Sequence, residues 1–306
     1  MSAVTVTLNP AIDRTVTIPG FRAGEVNRVQ HVLDHPGGKG VNVAASLAAL
    51  GEKVTATGFL GRDNSAVFEA FFESKGIEDT FVRLPGATRV GIKILDPEQS
   101  QTTDINFPGL QPSVTDLDAL RQFVQSRPSL WYVLAGSLPA GVEPEEYAAL
   151  ARQIQAAGGR VMLDTSGPAL EAALAVRPDA IKPNVSELSA LLGEPLSSRG
   201  EVVSAARRIV AQGVGLVVVS MGADGAVFVR EGESVLAKPP RMQVRSTVGA
   251  GDAMVAGTVA GLLRDLPLAE IARLATACSM EVLSRPEPGA PAPLPAAALL
   301  SQVVIS

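Results

Sequence analysis

LWYVLAGSLPAGVEPEEYAALARQIQAAGGRVMLD is the sequence of residues 130–164, and its pattern predicts the fold class. Two apolar runs, 130–135 and 160–164, enclose a helical pattern over residues 142–157. The acidic residues and proline at the start of that pattern, and the glycine pair at its end, are typical of helix boundaries. A strand, a helix and a second strand in this order predict two parallel strands joined by a right-handed crossover.

The same alternation continues along the rest of the chain. Further apolar runs of strand length lie at 4–8, 54–60, 180–182 and 216–220, and further helical patterns at 200–212 and 268–283. Several runs are continuously apolar, which is typical of strands covered on both faces. We therefore predict an α/β fold with a mainly parallel central sheet and helices on both sides of it. The 306 residues fit one large domain or two small ones.

Two segments, about 11–36 and 88–108, break this rhythm, because polar and apolar residues alternate along them. Such alternation is typical of antiparallel strands with one face in water. We predict that the two segments form a small β-sheet projecting from the main domain as a lid. A pair of surface hairpins without a function fits the pattern equally well.

Composition excludes several classes of partner. The net charge is −5 and the Lys and Arg residues are scattered, so the chain lacks the basic stripe that nucleic acid requires. Its first residues do not follow the pattern of a signal peptide, and no apolar run reaches membrane-spanning length. The single cysteine, Cys278, cannot form an internal disulfide, which fits a reducing compartment. We expect a cytoplasmic protein that binds neither nucleic acid nor membrane.

The strongest chemical motif is STVGAGD, residues 246–252, which precedes the apolar helical run AMVAGTVAGLL. Glycines before a helix let the N–H groups of Gly249, Ala250 and Gly251 converge where the helix dipole is positive. Such donors stabilise a phosphoryl group in transfer, and Asp252 could accept the proton of an attacking hydroxyl. The alternative is that Asp252 merely caps the helix. A dinucleotide fingerprint is excluded because Met254 stands where its third glycine would be.

A second glycine-rich motif, GGKGVNVA, covers residues 37–44 and also leads into a helical pattern. Its candidate binding residues are Gly38, Lys39 and Asn42. It is not a P-loop, because Gly40 follows the lysine where serine or threonine is required. A tight turn into a core helix is the alternative.

The third motif, KPNVSE at residues 182–187, follows a short predicted strand. Ligands of parallel α/β sheets bind at the carboxyl ends of the strands, which makes Lys182 and Asn184 candidate ligand contacts. Glu187 could hold Mg²⁺ through water. Asn184 with Glu187 three residues later is equally the signature of a capping box.

The fourth motif, SMGADGA, follows the apolar strand at 216–220 and contains Ser220, Gly222 and Gly225. It could clasp a nucleotide phosphate or form a simple hairpin turn.

The four motifs occur in one order, each at a strand-to-helix or strand-to-turn junction. In this combination the chain resembles the ribokinase-like (phosphofructokinase B, PfkB) carbohydrate kinases over nearly its whole length. The resemblance implies one kinase domain over residues 1–306, built as a three-layer sandwich with a β-sheet lid that often forms a dimer interface. It also implies ATP as phosphoryl donor, Mg²⁺, and Asp252 as the catalytic base.

Within that family the chain is most similar to the branch that phosphorylates fructose 1-phosphate at O6 to fructose 1,6-bisphosphate. The similarity lies in residues 7–13 (TLNPAID), 24–27 (GEVN), 103–107 (TDINF) and 246–257 (STVGAGDAMVAG). The alternatives are a kinase of tagatose 6-phosphate or fructose 6-phosphate, a nucleoside or ribose kinase, and a non-catalytic sugar-phosphate sensor.

The resemblance also implies roles for individual residues. It places Asp13, Gly38 and Asn42 on the sugar hydroxyls, and Lys39, Arg89 and, depending on lid geometry, Arg28 near the substrate phosphate. It places Lys182, Asn184, Ser220, Gly222 and Gly225 along the nucleotide, with Glu187 ordering the metal. The chain departs from the family pattern at Gly91, where asparagine is usual, at Asp104, where 6-phosphofructokinase relatives have arginine, and in the proline-rich segment 285–295.

Overall fold

The computed structural model describes residues 2–99, 101–285 and 297–306. Its strands are Ser2–Thr7 (β1), Ala11–Thr17 (β2), His31–Gly37 (β3), Lys53–Gly61 (β4), Glu78–Asp79 (β5), Val82–Leu84 (β6), Val90–Asp96 (β7), Gln101–Ile105 (β8), Trp131–Ala135 (β9), Arg160–Asp164 (β10), Ala180–Ile181 (β11), Leu216–Ser220 (β12), Ala226–Arg230 (β13), Glu233–Lys238 (β14) and Val304–Ile305 (β15). Its α-helices are Lys39–Ala49 (α1), Ala66–Lys75 (α2), Val114–Ser126 (α3), Glu146–Ala156 (α4), Pro168–Leu174 (α5), Val185–Leu192 (α6), Arg199–Ala211 (α7), Ala250–Leu263 (α8), Leu268–Leu283 (α9) and Ala297–Gln302 (α10).

The large sheet has the order β15-β14-β13-β12-β11-β10-β9-β1-β4-β5, and β6 also pairs with β4. Its strands from β12 to β5 are parallel, as the alternation of strands and helices predicts. The edge formed by β13, β14 and β15 is antiparallel. The β12–β13 hairpin was one interpretation of the SMGADGA motif, whereas strands β14 and β15 were not predicted. Two apolar clusters fill the space between the sheet and the helices on its two faces, which gives a three-layer sandwich.

The predicted start of helix α4 was wrong by four residues. The helical pattern at 142–157 predicts a start at Val142, whereas α4 begins at Glu146. The preceding residues form two turns instead, in which the N–H of Val142 donates to the carbonyl of Pro139 and that of Glu146 to the carbonyl of Glu143. Proline at 144 is compatible with such turns as well as with a first helical turn, so composition alone does not separate them.

The lid is a separate four-stranded sheet with the order β3-β2-β7-β8. Its strands lie within the two alternating segments, but its central pair, β2 and β7, is parallel rather than antiparallel. The parallel pairing follows from connectivity, since β2 and β7 come after β1 and β6, which both run in the direction of β4.

Helix α8 is buried on all sides from Asp252 to Gly261. A Cβ added at Gly257 would lie only 2.6 Å from Cα of Ala275 on α9, so the missing side chain lets the two helices approach closely. This packing holds α8, whose first turn carries the GAGD motif, against α9. Of the helices in the described part of the chain, none has both the length and the apolarity needed to cross a membrane.

Candidate active site

The polar motif residues meet at the carboxyl edge of the parallel strands. Asp164 is the last residue of β10, Lys182 follows β11, and Ser220 ends β12. The side chain of Asn9, after β1, donates to the hydroxyl of Ser137, after β9, at 3.2 Å. This edge is where open α/β sheets bind their ligands.

The GAGD motif forms the first turn of α8. Gly249 is the N-cap residue with φ of 82°, a left-handed conformation that favours glycine, and no side chain caps this helix end. The first N–H groups of a helix have no partner within the helix, and the dipole makes this end positive. The predicted anion-stabilising arrangement is therefore compatible with the backbone geometry.

Asp252 lies in this first turn and is 7% exposed. The amide of Asn42, on α1, donates a hydrogen bond of 2.8 Å to its Oδ2 atom. Burial and the charge of Asp164 raise the pKa of Asp252 to about 6, while the Asn42 bond, Lys39 and Lys182 oppose the rise. The carboxylate is thus mostly ionised at neutral pH and more basic than an exposed aspartate, which suits a general base.

Two lysines and a second carboxylate complete this cluster. The Nζ atoms of Lys39 and Lys182 both lie 3.2 Å from Oδ1 of Asp164. Burial lowers the pKa of Lys39, but Asp164 and Asp252 outweigh it and the net shift is upward, so Lys39 stays charged. A Cβ added at Gly251 would lie 3.4 Å from Nζ of Lys182, which shows that this lysine adjoins the GAGD turn. Asp164 was not among the predicted site residues.

Asp13, on β2, belongs to a second cluster in the lid. Burial raises its pKa, while the positive charges of Lys93 and Arg89 lower it and the charge of Asp104 raises it. A Cβ at Gly37 would overlap Oδ2 of Asp13, so the glycine of the GGKG motif makes room for this carboxylate.

The predicted pair of phosphate-binding cations is divided between these clusters. Lys39 adjoins Asp164, whereas the guanidinium of Arg89 donates to the backbone carbonyls of Pro10 and Asn9 at 3.2 and 3.3 Å. Arg28 is exposed in the loop between β2 and β3. Lys93, which sequence reasoning missed, is the cation that acts most strongly on Asp13.

The three departures from the family pattern have different outcomes. A Cβ at Gly91 would lie 3.4 Å from Oδ1 of Asp13 and 3.6 Å from Oδ1 of Asn106, so Asn106 reaches the space beside this glycine. Asp104 forms an ion pair of 2.8 Å with Lys93. Of the proline-rich segment, residues 286–295 lie outside the described part of the chain.

The predicted nucleotide residues lie on adjacent strand ends. Asn184 and Ser220 form a parallel β-bridge, and the N–H of Ser220 donates to the carbonyl of Pro183 at 3.2 Å. Gly222–Asp224 is a 3₁₀ turn between the antiparallel strands β12 and β13, so this motif is a hairpin turn in form. Gly38, the remaining predicted residue, is the N-cap of α1.

Glu187 forms the capping box that was the alternative for its motif. Its Oε2 accepts the N–H of Asn184 at 2.8 Å, and its own N–H donates to Oδ1 of Asn184 at 2.8 Å. Its charge also acts on Lys39, so the carboxylate lies near the lysine cluster. One carboxylate together with water and phosphate oxygens is a usual ligand set for Mg²⁺, and these residues fit that ion.

A buried basic carboxylate, the N–H groups of a helix terminus and two lysines define a site for phosphoryl transfer to an alcohol. The chain matches the model of the pfkB family of carbohydrate kinases over residues 6–295 and belongs to that family.

Two relatives lie close in sequence. The chain is 52% identical to the 1-phosphofructokinase of Rhodobacter capsulatus over 304 residues, which cover 98% of this chain and 96% of the relative. It is 47% identical to the 1-phosphofructokinase of Xanthomonas campestris pv. campestris over 287 residues, or 92% and 90% of the two chains. Among solved structures, phosphofructokinase-2 from Escherichia coli in complex with substrates and products matches with a TM-score of 0.89 at 31% identity, over 93% and 94% of the two chains. The predicted family and fold are confirmed.

Proposed function

We propose that this chain transfers the γ-phosphoryl group of ATP to O6 of fructose 1-phosphate, giving fructose 1,6-bisphosphate and ADP. Two relatives named 1-phosphofructokinase, one of them 52% identical over 98% of the chain, support this substrate. The observation that carries the chemistry is the position of Asp252, which lies buried at the N-terminal turn of α8 within hydrogen-bonding distance of Asn42.

In the proposed reaction, Asp252 accepts the proton of the O6 hydroxyl as the oxygen attacks the γ-phosphorus. The bond between that phosphorus and the β,γ-bridging oxygen breaks, and ADP leaves with the bond's electron pair. The N–H groups of Gly249, Ala250 and Gly251 and the ammonium group of Lys182 would stabilise the charge on the phosphoryl oxygens. Asp13 and Asn42 would orient the sugar, and Arg89 would bind its 1-phosphate.

Glu187 would hold Mg²⁺ through water, with the remaining ligands coming from the nucleotide. When bound, Mg²⁺ neutralises part of the charge on the phosphates. Lys182, Asn184, Ser220, Gly222 and Gly225 would line the nucleotide, since they lie on or next to the neighbouring ends of β11 and β12.

The lid would also form the interface of a homodimer. Val26 and Val32 are 91% and 58% exposed, and Leu33, Ile105 and Phe107 are also exposed large apolar side chains on or beside the lid strands. A second copy of the chain would cover them. Sedimentation of the Val32→Asp variant should give a monomer, while Val304→Asp, at an equally exposed valine on β15, should stay a dimer. A monomeric wild-type protein would contradict this interface.

The substrate is tested by measuring kcat/KM with a coupled ADP-release assay. Fructose 1-phosphate, fructose 6-phosphate, tagatose 6-phosphate, free fructose and ribose should be compared at fixed Mg-ATP. The proposal predicts the highest kcat/KM for fructose 1-phosphate. A higher kcat/KM for either 6-phosphate would mean that the sugar binds in the opposite orientation. Turnover of the free sugars alone would contradict the phosphate-binding role of Arg89. No ADP release with any of these sugars would indicate a non-catalytic sensor.

A further inference from the structure

Asp164, which has no role in the proposed transfer, is one of the most deeply buried charged residues of the described chain. Its side chain is 1% exposed, and its Oδ1 lies 3.2 Å from the Nζ atoms of both Lys39 and Lys182. Its Oδ2 is buried without a hydrogen bond to any described residue. A buried carboxylate is costly unless it is paired, so the two ammonium groups are what make this position tolerable.

The two lysines come from opposite halves of the site. Lys39 opens α1 in the GGKG motif, next to the residues expected to bind the sugar, and Lys182 follows β11, next to those expected to bind the nucleotide. Two ammonium groups that approach the same oxygen repel each other, and a negative charge between them offsets that repulsion. Asp164 is the group that provides this charge.

We propose that Asp164 is a positioning residue that joins the two substrate sites, because its carboxylate holds Lys39 on the sugar side and Lys182 on the nucleotide side at one point. The inference rests on the proposed function, since it assigns the lysines to those two substrates. Asp164 itself touches neither substrate.

The same carboxylate acts on the catalytic base. The charged groups that act on Asp252 are Asp164, Lys39 and Lys182, and of these only Asp164 raises its pKa. Asp164 also acts on the hydroxyl of Tyr147, which donates to the carbonyls of Ala135 and Gly136 and whose pKa is raised by burial and by Asp164. Asp164 therefore keeps the lysines in place and also makes the base more basic.

The test is the Asp164→Asn variant, which keeps the shape of the side chain and removes its charge. We expect kcat/KM to fall on the order of 10²-fold for both fructose 1-phosphate and ATP, because two cations lose their common anchor. We also expect the acidic limb of the pH profile of kcat/KM to move to lower pH, because burial still raises the pKa of Asp252 but the negative charge of Asp164 no longer adds to it. The matched control is Asp179→Asn, where the carboxylate accepts the N–H of Val161 at the opposite end of β10; it should leave both readouts unchanged.

An acidic limb that stays in place or moves to higher pH would overturn the inference, because removing the negative charge of Asp164 should lower the pKa of Asp252. If Asp164→Asn does not fold, Lys182→Met is compared with the Lys182→Met, Asp164→Asn double variant, which removes the deeply buried charges of Lys182 and Asp164 together and keeps the more exposed Lys39. The inference predicts a KM for fructose 1-phosphate at least about tenfold higher in the double variant, since only Asp164 anchors Lys39 there.

Equal KM values in those two variants would overturn the inference. An inactive wild-type protein would overturn the proposed function and the inference with it, whereas an active wild type with an unshifted Asp164→Asn profile would overturn the inference alone.

Discussion

Replacing Asp252 by asparagine should abolish most turnover and, at the same time, stabilise the protein. Asparagine keeps an oxygen that can accept the hydrogen bond from Asn42, which measures 2.8 Å, but it cannot accept a proton from the substrate. The variant therefore separates the chemistry of this side chain from its packing.

The size of both effects follows from the pKa of about 6. At pH 7 roughly nine in ten molecules carry the ionised base, so its loss should cost the full ~10²–10⁴-fold of general-base catalysis, or about 3–5 kcal/mol of barrier. The pKa of this carboxyl is 3.8 in the unfolded chain and about 6 in the folded protein, so the folded state holds the proton more tightly. The free energy of unfolding therefore falls as the pH rises from about 4 to about 6, and it stays low at higher pH. Removing the charge should then stabilise the protein by up to about 3 kcal/mol at pH 7.

The assay is coupled ADP release at saturating fructose 1-phosphate, together with urea denaturation at pH 7. In the wild type, kcat should fall about tenfold per pH unit below pH 6. Asp265→Asn is the matched control, because it makes the same chemical change at an exposed position just after the other end of α8. A loss of less than about tenfold in Asp252→Asn, or a variant less stable than the control, would refute the assignment of Asp252 as a buried base.

Two further substitutions test how the motif glycines shape the site and the core. Gly37→Ala should raise the KM for fructose 1-phosphate at least about tenfold and leave the KM for ATP unchanged, because the new Cβ overlaps Asp13. Gly91→Ala is the control and should have little effect, because its Cβ lies 3.4 Å from that carboxylate. Equal increases in KM for the two variants would contradict this geometry. Gly257→Ala should lower the free energy of unfolding by about 1–3 kcal/mol, because the Cβ lies 2.6 Å from backbone on α9. Gly200→Ala should leave the free energy of unfolding unchanged or raise it, because the nearest atom to the new Cβ lies 3.9 Å away. A lower denaturation midpoint for Gly200→Ala than for Gly257→Ala would contradict this prediction.

The parts of the fold that could be predicted are those with a local signal. Continuous apolar runs marked the buried parallel strands, and glycine-rich junctions marked the starts of α1 and α8. The β12–β13 hairpin was one of the two interpretations of the SMGADGA motif, but β15 could not be predicted as part of this sheet, because it pairs with residues about seventy positions away along the chain. The parallel pairing of β2 with β7 was missed for the same reason, since alternation shows that a strand has one wet face but not which neighbour it has.

The site divides in the same way. Asp252, Lys39 and Asn42 could be found because each belongs to a short motif with a recognisable geometry. Asp164 lies at the end of an apolar strand and belongs to none of the four motifs. It becomes recognisable as a site residue only in the tertiary structure, where Lys39, 125 positions away in sequence, contacts its carboxylate. Lys93 was overlooked because an alternating strand presents it as one more exposed polar residue.

The most direct test of the account is a crystal structure of the Asp252→Asn variant with fructose 1-phosphate and a non-hydrolysable ATP analogue. The measured quantity is the distance from the side-chain oxygen of residue 252 to the nearest hydroxyl of the sugar. We predict that this hydroxyl is O6, at about 2.6–3.2 Å, with the γ-phosphate analogue against the N-terminal turn of α8. A sugar bound with its 1-phosphate at this position, or with every hydroxyl more than about 5 Å from residue 252, would contradict the account.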